Sequence, residues 1–224
     1  MEMRKLADYT VLLLLAVVFG LTSCKEGDDN KVDEFPNWET TNTTYFNTIY
    51  QKAKDAAATG DASWKVFKSY AFADNVHNDA IDHIVVKVQK SGTGTVSPLY
   101  TDSVRIHYQG RLLPSTSYKD GYIFDQSWVR GYDYDLKTMV PAKMLVSGTV
   151  DGFATALMHM HLGDRWTVYI PYQLGYGKSA NSTIPAYSTL VFDITLVGIY
   201  RAGQVIPSYR ASEAKQASGW IEQD

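Results

Sequence analysis

Cysteine is almost absent from this chain. Cys24 is the only one among 224 residues, so no internal disulfide can form, and its leading position offers none of the base partners that a catalytic thiol needs. A strong charge bias is missing too. Lysine and arginine number 21 against 24 aspartates and glutamates, a net charge of −3 with a pI near 5.9. That is neither the basic excess of a nucleic-acid binder nor an acidity extreme enough to name a partner, and no nucleic acid is expected to bind. The apolar run from Val11 to Leu21 is too short to cross a bilayer as a folded helix. Metal-ligand spacing is also lacking: His159 and His161 lie two apart on a helix end, point in different directions, and have no carboxylate or cysteine motif beside them. Neither metal nor cofactor is expected. What remains, 45% hydrophobic and 13% aromatic residues, is enough for one full core but hardly two.

Arg4 and Lys5 precede the apolar run, the arrangement of a secretory signal. The run ends in Leu21-Thr22-Ser23-Cys24, which resembles the lipobox of bacterial lipoproteins, where the cysteine is acylated and becomes the mature N-terminus. The resemblance implies a signal peptide over 1–23 and a membrane partner through a lipid anchor on Cys24. It places the protein in a bacterial cell envelope, on the outer membrane and facing the periplasm or the surface. The sequons Asn42-Thr43-Thr44 and Asn181-Ser182-Thr183 would accept glycans only in a eukaryotic secretory pathway, against which the lipobox argues. Residues 24–35 are charged and nearly free of apolar side chains, so they read as a flexible acidic tether.

Over 36–80 an N-terminal helical extension is expected. Trp38, Tyr45, Phe46, Ile49, Tyr50 and Ala53 recur at three- and four-residue steps, and Gly60 follows as a stop. A short strand around Trp64 and Val66 follows, with Phe67 breaking its alternation. The extension is too small to fold alone, so its apolar stripe should pack on the main domain or on a second copy.

From Asp82 the period changes to two. Val104, Ile106, Tyr108, Gly110 and Leu112 alternate with polar residues, as do Trp166, Val168 and Ile170, while Leu190, Phe192, Ile194 and Leu196 form a third alternating set. Further strands are expected at Ile84 to Gln89, Gly121 to Ser127 and Pro141 to Ser147. One short helix reads from Phe153, Leu157 and Met160, with Asp151 as cap and Gly163 as stop. The fold class is therefore α+β, a curved antiparallel sheet packed on one short helix over 81–202, with a polar tail at 203–224.

Strand parity turns Tyr108 and Phe192 inward, and the helix start brings Phe153 toward the same interior. Taken alone, such aromatics are either ordinary core or the lining of a cavity. The order of motifs goes further. Val104 to Gly110, Phe124-Asp125-Gln126-Ser127, Thr149 to Phe153, Leu162-Gly163-Asp164, Leu174-Gly175-Tyr176-Gly177 and Ile184-Pro185 running into Ser188 to Asp193 together resemble the FKBP-type peptidyl-prolyl cis-trans isomerases. Spaced motifs in the right order over about 120 residues are far more specific than any one of them.

The resemblance implies that Tyr108, Phe124, Ile184 and Phe192 wall a pocket for a proline ring, with Phe153 as its floor. It also implies that the Val150 N–H and the Tyr176 hydroxyl hold carbonyls of the bound chain, and that Asp125 orients neighbours at the rim. The implied partners are proline-containing polypeptides and FK506-like macrolides. The implied reaction is rotation about X-Pro bonds, whose barrier of ~18–20 kcal/mol reflects amide resonance and needs no nucleophile or metal to lower. The alternative is a membrane-anchored binding module of the same fold with little or no turnover. Phe153 stands where the family usually has Trp, and Ala142 where many members carry a pocket-edge Phe. Two extended connections, Leu113 to Tyr122 and Trp128 to Thr138, are expected near the pocket mouth.

Overall fold

The computed structural model describes residues 32–131, 134–135 and 138–206, and the backbone of 220–222. The signal, Cys24 and most of the tether lie outside the described residues. The elements below belong to the compact unit that begins at Glu34.

Helix α1 (Trp38–Ala58) is followed by strands β1 (Trp64–Lys68), β2 (His83–Lys90), β3 (Ser103–Arg111), β4 (Ile123–Gln126) and β5 (Ala142–Leu145). Helix α2 (Asp151–His159), β6 (Arg165–Ile170), β7 (Leu190–Tyr200) and β8 (Trp220–Glu222) complete the order. The strands form one sheet in the order β1-β2-β6-β7-β3-β4, with β5 on β3 and β8 on β7. All of these pairings are antiparallel. β5 pairs with Ser103–Ile106 of β3 and β4 with Gln109–Arg111, so the two lie end to end along one edge of β3.

Alternation decides which residues face α2. Ile84 and Val86 of β2, Trp166, Val168 and Ile170 of β6, Phe192 and Ile194 of β7, and Ile106 and Tyr108 of β3 share one buried cluster with Phe153, Ala156 and Leu157 of α2. Ala154 and Ala156 are small enough for the helix to lie close on the sheet, and Gly152 closer still. A Cβ on Gly152 would stand 2.3 Å from Cγ2 of Ile170. Val150, not Asp151, is the N-cap of α2, and it makes no side-chain capping bond. Asp151 instead sits in the first turn, where its charge complements the helix dipole. The helix ends at His159, and Gly163 serves a turn beyond it at φ 85.

The opposite sheet face is covered as well. Phe46 and Ala53 of α1 bury against Trp64 and Val85, with Tyr169 packed alongside. The α1 stripe thus packs on the sheet of its own chain. Phe67 breaks the alternation of β1 because this edge strand is apolar on both sides. Its ring stacks on His159 at 4.1 Å and on Trp166 at 5.8 Å, on the face away from α1. At its N-terminal end α1 is fixed by polar contacts: Trp38 Nε1 donates to Ser188 Oγ at 2.8 Å, and Asn42 Oδ1 accepts from the Thr189 N–H at 2.7 Å.

Asn42 is fully buried, and its Nδ2 donates to the Trp38 carbonyl at 2.7 Å. Removing its side chain would leave the buried Thr189 N–H without an acceptor. Asn42→Ala should therefore lower the free energy of unfolding by about 1–3 kcal/mol, read from the denaturant midpoint. A midpoint equal to wild type would mean that α1 is not held through this bond.

Candidate active site

Every residue proposed from sequence to form the pocket lines one cavity of about 730 Å³: Tyr108, Phe124, Asp125, Val150, Phe153, Tyr176, Ile184 and Phe192. The volume is of the order usual for small-molecule sites. Tyr108 comes from β3, Phe124 and Asp125 from β4, Phe192 from β7, and Phe153 from the first turn of α2. Tyr176 and Ile184 come from the connection between β6 and β7, and Val150 caps α2.

The aromatic walls are organised around Phe192. Its ring centroid lies 4.8 Å from Phe153 at 81°, 5.5 Å from Phe124 at 86° and 6.5 Å from Tyr108 at 49°. The two near-perpendicular contacts set the positive ring edge against the negative face, the favourable geometry for benzene-like rings. Gly110 makes this closure possible, since a Cβ there would stand 2.5 Å from Phe192 and 2.6 Å from Phe124. On β4, Asp125 pairs with Gly110 and Ile123 with Arg111, so Phe124 is the extra residue of a bulge. A bulge re-aims a side chain, here into the cavity.

Tyr108 is the polar hinge of the site. Its hydroxyl donates to Asp125 Oδ2 at 2.6 Å. Burial first, and the Asp125 carboxylate second, push the hydroxyl's pKa far above its ordinary value, so it stays protonated. Its backbone is clamped too. The Tyr108 N–H donates to Ser127 Oγ at 3.0 Å, and the Ser127 N–H donates to the Tyr108 carbonyl at 2.9 Å. Tyr176, 47% exposed, stands at the rim.

Asn181, Thr183, Met144, Leu145, Gly148 and Thr149 also line the cavity, and sequence reasoning missed them. Asn181 Oδ1 accepts from the N–H groups of Thr183 and Ile184 at 2.9 and 2.7 Å, which fixes the turn that presents Ile184. An Asx turn before Ile-Pro was the available signal. Met144, two residues beyond Ala142 on β5, supplies the edge expected at Ala142, which does not line the cavity.

The two extended connections are not at the cavity: none of their described residues lines it. Trp128 and Tyr134 pack together at 5.1 Å, and Tyr134 lies 5.1 Å from His107, 5.3 Å below the Arg165 guanidinium. That is the sheet face opposite Tyr108. The segment reaches it because Arg165, His107 and Thr195 leave a polar surface there that an aromatic ring can cover. The earlier connection is held to the N-terminal segment instead, by Glu34, whose carboxylate accepts from Ser115 Oγ and from the Ser117 N–H at 2.9 Å.

A profile of the family described as FKBP-type peptidyl-prolyl cis-trans isomerase matches residues 94–197. Residues 94–197 are a domain of that family. The FKBP-type 22 kDa peptidyl-prolyl cis-trans isomerase of Escherichia coli is 39% identical over 114 residues, which is 50% of this chain and 48% of that one. The Macrophage infectivity potentiator of Trypanosoma cruzi is 36% identical over 114 residues, 50% of this chain and 51% of the other. Among solved structures, FkpA from Escherichia coli aligns at 25% identity and a TM-score of 0.45, over 74% of this chain and 65% of its own. The chain spans about half the length of these first two relatives. The FKBP match takes in all eight residues named above.

This geometry makes two predictions. Gly110→Ala should drive Phe124 and Phe192 apart, seen as loss of binding of a Leu-Pro peptide with the fold retained by circular dichroism; unaltered affinity would mean the rings yield freely. The second concerns the opposite face. His107 is 1% exposed, and burial holds its pKa below the ordinary value, as it does for His159. The unfolded chain takes up protons near pH ~6.5 that the folded chain refuses. Stability should therefore be complete above that pH and fall as acid is added through the depressed values. His107→Gln should lessen the fall in Tm between neutral and mildly acid pH. An unchanged fall would assign it to His159.

Proposed function

We propose that this protein is a peptidyl-prolyl cis-trans isomerase that accelerates rotation about X-Pro bonds of exported or surface proteins. The observation that carries the reading is the convergence of Tyr108, Phe124, Phe153, Ile184 and Phe192 on one cavity that Asp125, Tyr176, Asn181 and Thr183 also line. In this reading the proline ring rests on Phe153 between the other four side chains. Carbonyls on either side of the bond are held by the Tyr176 hydroxyl and the Val150 N–H.

The residues supply what the reaction needs. A planar amide is more dipolar than a twisted one, so an apolar surround that excludes water favours the twisted form relative to the planar ground state. Holding the chain on both sides of the bond supplies orientation. The Tyr108–Asp125 hydrogen bond fixes the orientation of both side chains at the cavity. No proton is transferred, so no general base has to be poised near neutrality.

FK506-like macrolides are proposed as competing ligands, because they would occupy the same apolar cavity. A lipid anchor on Cys24 in a bacterial envelope is proposed from the lipobox-like Leu21-Thr22-Ser23-Cys24 and the charged residues after it. Stable attachment takes more than one acyl chain.

The test is isomerisation of a short X-Pro peptide with an apolar residue before the proline. Phe192→Ala should cost at least about tenfold in kcat/KM, because a wall is lost and water enters. Tyr176→Phe removes one hydrogen bond of about 0.5–1.5 kcal/mol and should cost no more than about tenfold. The rate should be nearly flat from about pH 6 to 8. A folded Phe192→Ala protein with wild-type kcat/KM would reject the pocket as the source of activity.

A further inference from the structure

Three large side chains outside the cavity lining are partly exposed, each on a support tied to a neighbour of a cavity-lining residue. Leu99 is 56% exposed, Tyr100 40% and Tyr70 37%. The rings of Tyr70 and Tyr100 lie 5.0 Å apart at 38°. Single exposed apolar residues mean little, whereas a contiguous group marks a contact surface.

The supports connect this strip to the cavity wall from two sides. Tyr70 donates its hydroxyl to Asp151 Oδ1 at 3.1 Å and its N–H to Thr155 Oγ1 at 3.3 Å. Asp151 follows Val150, which lines the cavity. On the other side the Asp102 N–H donates to the Leu99 carbonyl at 3.0 Å, and the Asp102 carbonyl accepts from the Val146 N–H at 2.9 Å. Val146 follows Leu145, a cavity-lining residue that is itself 49% exposed. Buried Asp102 also accepts the Leu99 N–H at 2.8 Å and pairs with Arg201, so the turn carrying Leu99 and Tyr100 is fixed before any partner arrives. A rigid aromatic surface binds without a large loss of side-chain freedom.

We infer that Leu99, Tyr100 and Tyr70 form a second contact site for the client polypeptide, taking apolar or aromatic side chains that flank the proline in sequence. The inference rests on the isomerase reading, since it needs a chain already seated in the cavity. The spacing suits an extended chain. From Val150 to the Tyr70 hydroxyl is one peptide step, one aspartate side chain and one hydrogen bond, at most about 10 Å, which an extended segment crosses in no more than roughly three residues. Tyr70 belongs to the N-terminal extension, so that segment takes part in substrate capture as well as in packing.

The test compares two labelled peptides with the same central Leu-Pro, one ending just beyond it and one carrying leucines about four residues to either side. The longer peptide should bind the full-length protein about tenfold tighter than the short one. In Leu99→Ser/Tyr100→Ser this advantage should shrink to below about twofold, with the short peptide's affinity unchanged. Tyr70→Phe, which keeps the ring but cuts the tie to Asp151, should lose part of it. An equal advantage in the double variant, or none in the wild type, would overturn the inference. So would a wild-type dimer that the double variant dissolves, because the strip would then serve self-association. Failure of the isomerase reading looks different: neither peptide's cis-trans exchange would accelerate, while the two affinities would still decide the strip.

Discussion

The site depends on the edge-to-face packing of Phe192 against Phe153 and Phe124. These contacts bring β7, α2 and the β4 bulge to one point, and the Phe192–Phe124 pair has room because Gly110 on β3 carries no side chain between them. A sheet strand that carries glycine gives up packing area and chain stiffness. Here that loss leaves room for the two rings that enclose the cavity. Ile170 against Gly152 repeats the device under α2, letting the helix settle close on the sheet with Phe153 lining the cavity.

The N-terminal extension braces this arrangement from outside. Trp38 and Asn42 bind Ser188 and Thr189, between the Ile184-Pro185 turn and the strand that carries Phe192. These hydrogen bonds therefore fix the segment between two cavity walls. At its far end the extension contributes β1 as the edge strand beside β2, and Phe67 extends the aromatic packing to α2 and β6.

Much of this is legible in the sequence, for a physical reason. Period-two alternation states which side chains share a face, so Tyr108 and Phe192 are assigned inward from their spacing alone. The helical stripe of α1 is readable in the same way. What parity does not state is where a connection goes. Trp128 and Tyr134 are expected near the pocket and instead cover the polar face around His107 and Arg165, a destination set by tertiary contacts. Asn181 and Thr183 read in sequence only as a sequon; their place at the rim follows from a turn whose hydrogen bonds are made by Asn181 itself. The exchange of Ala142 for Met144 as the edge is a matter of β5 register, which a four-residue strand specifies weakly.

The central claim is that a cavity without acid-base or metal chemistry lowers the rotation barrier of a bound X-Pro bond. Magnetisation exchange between the cis and trans signals of a Leu-Pro peptide, recorded with a small fraction of an equivalent of protein, tests it most directly. Uncatalysed exchange takes tens to hundreds of seconds at 25 °C. The account predicts exchange at least about tenfold faster than that background, with the cis to trans ratio of the free peptide unchanged, as a catalyst requires. Peptide signals that broaden on binding while exchange stays at the uncatalysed rate would contradict it.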